Sequence, residues 1–264
     1  MNVFLNTFIQ ILYFIGSIYL FGFLISRLRN KFHSIVSNEG ICRAISIIGT
    51  PVHELSHALM CVIFGHKILE IKLFQYKDDD ERLGYVSHSY NPKNIYHLVG
   101  NYFIGVAPII VGSLVVCLFM RLLLPGAFTE ISQHISNIVT TSEYGFSFSI
   151  FLSVFKVIKA LFTNITSFFG WLVFILLFTS ISMHMSLSKQ DIKGSLIALP
   201  ILSGVIFLAN VIVRIISKKA YEGFTDFMHT AGAYLISILM LSLIFALIIV
   251  LITKLISFLI NLRR

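Results

Sequence analysis

Six stretches of the chain, at about 3–26, 41–65, 99–124, 165–185, 194–217 and 231–260, stay apolar over lengths that matter in a lipid bilayer. About 20 apolar residues in an α-helix cross the roughly 30 Å of hydrocarbon. A helix apolar on every side has no face to offer water, and in lipid its backbone N–H and C=O groups are all bonded within the segment. The composition agrees, with 57% hydrophobic residues, 12% charged residues and 25 phenylalanines among 264 positions, outside the range of soluble domains. The sequence therefore predicts an all-α polytopic membrane protein of about six transmembrane helices, forming a single integral membrane domain over residues 1–264. The second run is the odd one, because polar side chains interrupt it.

The first run carries no Lys or Arg before Arg27 and exceeds a signal-peptide core, so it is expected to be a retained span in a chain beginning at or near Met1. Arg27, Arg29, Lys31 and Arg43 around the first connection favour a cytoplasmic placement of that connection. Strict alternation of six spans nevertheless puts ten of the 20 Lys and Arg on each side, which selects no orientation. The net charge of +8 lies in loops and helix ends, where it anchors spans at lipid headgroups; the bilayer is the expected partner and nucleic acid is not. Cys42, Cys61 and Cys117 sit in or beside apolar runs without any C-x-x-C pair and read as packing residues. The segment "FLSVFKVIKALF" (151–162) has the pattern of an amphipathic helix at the interface. There is no internal repeat or low-complexity linker, and the sequence fixes neither oligomeric state nor cellular membrane, for which the cell membrane is the expectation.

Between the second and third spans, "ILEIKLFQY" alternates imperfectly, "KDDDER" makes a charged turn, and "LGYVSHSY" is aromatic and β-branched before Asn91-Pro92. This predicts a small β-hairpin over about 68–90 at the membrane surface, whose function the pattern alone leaves open. The acidic run Asp78–Glu81 lacks the spaced oxygens and glycine of a calcium loop.

The interruption in the second run is "TPVHELSHALMCVIFGH" (50–66). Thr50-Pro51 reads as a helix start, Thr at the N-cap and Pro at the first helical position. On that helix His53 and His57 are four residues apart and share a face, as two imidazoles must to hold one Zn²⁺, while Glu54, about 100° round, is beside the ion. A carboxylate there can act as the general base and acid of hydrolysis, taking a proton from water and passing it to the leaving amine. The alternative is a polar packing cluster. Ionisable groups inside a span each cost about 2.5 kcal/mol or more unless paired or solvated, and a metal in a wet cavity would offset that. The cofactor expected is Zn²⁺.

"HELSHAL" on an apolar helix of a multi-span chain resembles the site-2 protease class of intramembrane zinc metalloproteases. The close resemblance covers residues 51–62; "GVAPIIVGS" (105–113) is similar to the small-residue and proline stretch of that class's next core helix, and "LSKQDIKG" (187–194) stands where its Asp-Gly motif falls. Asp191 is followed by Ile192 and no N-x-x-P-x-P-x-x-D-G sequence occurs, so the resemblance is to a divergent member. It implies cleavage of a membrane protein or peptide substrate within or beside the bilayer, with His53 and His57 as ligands, Glu54 catalytic, and an Asp from a later span as third ligand. It also implies that the hairpin aligns substrate, with Ile71 and Leu73 as substrate-binding positions on its first strand.

Two histidines do not close a catalytic zinc site, which takes three protein ligands. Asp191 and His184, near the end of the 165–185 run, are the candidates. Each has another role open to it: Ser188 and Asp191 form a near-capping-box pair, and His184 suits a helix C-terminus. The resemblance favours Asp191. His66 is expected to point away from the metal, Asn101 to bond a neighbouring helix, Arg214 to snorkel, and His88, His97, His134 and His229 to be solvated. Two other functions fit the motif: a zinc hydrolase of a lipid or small amide, and a membrane transporter or sensor moving metal or protons.

Overall fold

A computed structural model describes residues 3–36, 39–75, 83–141, 149–165 and 167–262. The chain is largely helical. α1 (Val3–Ile11) passes through a π-helical turn at Leu12–Gly16 into α2 (Ser17–Ile35), making one apolar rod of 33 residues. α3 (Glu39–Ile63) carries the H-E-x-x-H segment. β1 (Lys67–Lys72) and β2 (Tyr85–Ser89) pair antiparallel, Ile68 opposite His88 and Ile71 opposite Val86, with an irregularity between Ile68 and Glu70. The expected hairpin is therefore present, its charged tip at 76–82 lying outside the described residues. Then follow α4 (Ile95–Leu123), α5 (Pro125–Thr141), α6 (Ser149–Thr163), α7 (Phe168–His184), α8 (Lys189–Ile216) and α9 (Lys218–Leu262).

Among the described residues four helices, not six, are long and apolar enough to cross a membrane: Val3–Ile35, Ile95–Leu123, Lys189–Ile216 and Lys218–Leu259. α7 is apolar but only 17 residues long, and α3 has the length, at 25 residues, with Arg43, His53, Glu54 and His57 diluting its apolarity. α9 differs from the sequence expectation in another way. The polar connection before the last run is itself helical and continuous with it, giving 45 residues and a rod of about 67 Å at 1.5 Å per residue.

α4 is the axis of the bundle, packed against α3, α7 and α8. Its middle, from Ile104 to Ile109, is buried on every side, and with Phe174 and Phe178 of α7 and Ile18 and Ile25 of α2 it forms the core. Small residues set the helix spacing, as they must where lipid competes for apolar side chains. A Cβ at Gly105 would lie 2.5 Å from the carbonyl oxygen of Asp191, and one at Gly49 would lie 2.3 Å from that of Ser180. These two contacts bring the start of α8 and the end of α7 against the middle of the molecule. The amphipathic segment expected at 151–162 is α6, whose buried Val154, Val157, Ala160 and Leu161 belong to a face that packs on α5 and α9.

Candidate metal centre

α3 does not begin at Thr50. It runs unbroken through Pro51, and Thr50 is a buried helical residue whose hydroxyl has no hydrogen-bond partner among the described residues. Pro51 lacks the N–H that would bond the carbonyl of Ile47, so the ladder is open at that point. A second interruption lies just before it: the Ser180 hydroxyl donates to the carbonyl of Ile45 and accepts from the N–H of Gly49 at 2.8 Å, inserting between an i, i+4 pair. Thr-Pro is a start signal only where the preceding residues do not continue the helix. Here packing of α3 on α7 through Gly49 holds them helical.

One turn further on, His53 and His57 stand on one face with ring centroids 4.8 Å apart. Nδ1 of His53 is 2.7 Å from the carbonyl oxygen of His184, and Nδ1 of His57 is 2.7 Å from that of Ile104. A carbonyl only accepts, so both rings carry their proton on Nδ1 and expose an Nε2 lone pair. The two Nε2 atoms face each other at 3.2 Å. Two lone pairs that close repel unless a cation lies between them. Oδ1 of Asp191 completes a group of three donors, 3.6 Å from His57 Nε2. Ligands about 2.0–2.2 Å from one ion in tetrahedral array are separated by roughly 3.3–3.6 Å, so the two edges that meet at His57, 3.2 and 3.6 Å, are close to those around a zinc-sized ion, and the third is under 4.8 Å.

Asp191 also caps α8. Its Oδ2 accepts the N–H of Ser188 at 2.8 Å while Ser188 Oγ accepts the N–H of Asp191 at 3.1 Å, leaving Oδ1 for the histidines. The two roles weighed for this residue are compatible because they use different oxygens. His184 contributes its backbone: the carbonyl orients His53, while its own Nδ1–H donates to Ser180 at 2.8 Å. His184 is not in the donor group.

The donors open onto a cavity of about 810 Å³, which Glu54 and Asn101 also line. Glu54 is 8% exposed, and the hairpin rests on it: a Cβ at Gly84 would lie 2.9 Å from Glu54 Cγ and from the carbonyls of Lys72 and Leu73. The hairpin residues that line the cavity come from β2 and its flanks, Leu83 to Val86 with His88 and Tyr90, whereas Ile71 and Leu73 belong to β1 and the bend after it and do not line it. Arg29 and His33 of α2 line the cavity as well, with Arg29 close enough to Asp191 for their charges to interact. Sequence reasoning placed Arg29 at a headgroup surface. A signal for it existed: Arg29 with His33, His53 with His57, and Ser180 with His184 are each i, i+4 pairs of polar residues on apolar helices, and all three converge here.

Three of the four histidines expected to be solvated depart from that picture, while His134 meets Lys156 at an exposed position. His88 and His97 are half-buried against His66, and His229 is 4% exposed beside Tyr13. Burial lowers the pKa of His66 and of His88 below the ordinary imidazole value. Of the cysteines, Cys42 and Cys117 pack against apolar clusters as expected, whereas Cys61 lies beside His66 and His88. Compared with models of protein families, with curated proteins and with solved structures, the chain matches none.

Proposed function

We propose that this protein is a zinc-dependent peptidase that cleaves a membrane protein or peptide substrate within or beside the bilayer. The observation that carries the reading is the convergence of His53 Nε2, His57 Nε2 and Asp191 Oδ1, with Glu54 lining the same chamber of about 810 Å³ among membrane-length helices. Zinc bound by those three atoms would polarise the scissile carbonyl and acidify the attacking water. Glu54, next along the helix from His53 but off the ligand face, takes the proton from that water and returns it to the amine nitrogen as the C–N bond breaks. His53 and His57 are held for their task by the carbonyls of His184 and Ile104, which fix tautomer and ring direction. The chamber's β2 wall suits an extended backbone: a peptide bond becomes accessible only after a substrate helix unwinds, and a strand can receive the unwound segment.

The test compares purified protein and membranes from cells carrying wild type, His57→Ala and Glu54→Gln. His57→Ala is expected to lose one zinc per chain relative to wild type, and Glu54→Gln to keep it. In Glu54→Gln membranes an uncut substrate should accumulate that is shortened in the wild type. Zinc retained in full by His57→Ala would place the metal elsewhere, and an unchanged membrane-protein pattern in Glu54→Gln would remove peptide hydrolysis as the function.

A further inference from the structure

Where α3 ends, a second set of potential metal-binding atoms comes together, on residues other than the His53, His57 and Asp191 donors and Glu54, one of which, His88, also belongs to the chamber's β2 wall. The helix stops at Gly65, which has φ of +69°, with the N–H of His66 bonding the carbonyl of Cys61 at 2.8 Å and that of Gly65 bonding Val62 at 3.2 Å. This six-to-one, five-to-two closure folds His66 back over the last turn and so over Cys61. Pairing of β1 with β2 then sets His88 opposite Ile68, two residues after His66. The Sγ of Cys61 and one ring nitrogen each from His66 and His88 all lie within 4.8 Å of one another.

The donor chemistry of these rings is specific. Nε2 of His66 is 3.0 Å from the carbonyl of His97, so it carries the ring's proton and Nδ1 is bare. That bare Nδ1 faces Nδ1 of His88 at 3.1 Å. Cys61 is 0% exposed, and its thiol has no hydrogen bond among the described residues. Tyr90 stacks on the His66 ring at 5.0 Å, and Gly100 lies close to its Nε2, where a Cβ would come within 3.0 Å. A ring held in this way, its one proton committed to a carbonyl, presents its lone pair as ligating histidines do.

We propose that Cys61, His66 and His88 form a second metal site, separate from the His53 donor group, that takes a thiophilic d¹⁰ cation, namely zinc. A thiolate with two imidazoles suits zinc and discriminates against the hard cations calcium and magnesium, which take oxygen. Binding releases the thiol proton and ties β2 to the last turn of α3. The ion thus acts as a clip that fixes the hairpin, and with it Gly84, over Glu54. The inference does not depend on the hydrolase reading, because the donors are different and so is the signature that detects them.

Cobalt(II) is the probe. Full-length protein in detergent is stripped with chelator and reloaded with Co²⁺, and the near-ultraviolet thiolate-to-cobalt charge-transfer band is recorded, a band that imidazole and carboxylate ligands do not give. The wild type is expected to show it and to bind about two ions per chain. Cys61→Ser should lose the band and one ion, while His57→Ala should lose one ion and keep the band. His88→Gln, at a half-buried strand position, should weaken the band in a chain whose helical circular dichroism is unchanged. No band in the wild type, or a band that survives Cys61→Ser, overturns the proposal whatever happens at His57.

Discussion

Asp191 shows how much one side chain can carry. Its two oxygens serve different neighbours, Oδ2 the N–H of Ser188 and Oδ1 the imidazole of His57. Two substitutions separate the roles. Asp191→Asn keeps an acceptor for the cap but loses the charge, so Tm should hardly move while zinc affinity falls by more than the roughly 10–100-fold that loss of an outer-shell partner brings. Asp191→Ala should lose affinity and also about 1 kcal/mol of stability from the uncapped helix. Calorimetric melting with metal titration checks both; an Asp191→Asn chain with wild-type zinc affinity would reduce the residue to a cap. At this scale the sequence was legible where partners are one turn apart. The donor pair His53 and His57 follows from helix periodicity alone. Asp191 shared candidacy with His184 until the resemblance favoured it, and the grouping of Cys61 with His66 and His88 escaped notice because a helix terminus and a strand register join them, neither of which is a spacing along the chain.

At the level of elements, the close contacts are made by backbone. Gly49 admits Ser180 and His184 to α3, Gly105 admits the start of α8 to α4, and Gly84 lets the hairpin touch Glu54. Gly84→Ala would place a methyl 2.9 Å from Glu54 Cγ and from the carbonyl oxygens of Lys72 and Leu73, so the two arms of the hairpin must part and Glu54 must shift. Cleavage of a membrane-embedded substrate should drop by about tenfold or more, as misplacement by an ångström or so does elsewhere, while the zinc that depends on His57 remains. Cleavage at the wild-type rate would make the hairpin a connector. The hairpin's existence was readable from its alternation and turn residues, but its cavity-facing strand was not. Expectation settled on Ile71 and Leu73 of the first strand, and the lining comes from the second, because only three-dimensional packing decides which strand of a hairpin lies inward. The start of α3 was misjudged for a related reason: Thr-Pro is a local signal, and the tertiary contact through Gly49 overrides it.

Across the whole molecule, the apolar runs announced helices in lipid, and four of those helices have the length and composition to span. The other two expected spans, α3 and α7, do not meet that measure among the described residues, one because Arg43, His53, Glu54 and His57 lower its apolarity and the other because it is only 17 residues long. Both border the chamber, through Thr50 and His184 among others, and hydrolysis inside a membrane protein requires that water reach it. Water access has a direct check. In a background with Cys42 and Cys117 changed to Ala, Gly194→Cys, whose added Cβ meets nothing within 4 Å and which lines the chamber, should react with a membrane-impermeant thiol reagent. Leu241→Cys, at a fully buried core position, should not. A Gly194→Cys chain as inert as Leu241→Cys would mean a chamber closed to water. The wide separation of the donors along the chain has one more consequence, for the chain as it is made. His57 and Asp191 lie half a chain apart, and at roughly 5–20 residues per second the ribosome needs on the order of ten seconds to go from one to the other. Throughout that interval α3 is already synthesised while the start of α8 is not, so the three-donor group of His53, His57 and Asp191 comes into being only when the late helix docks.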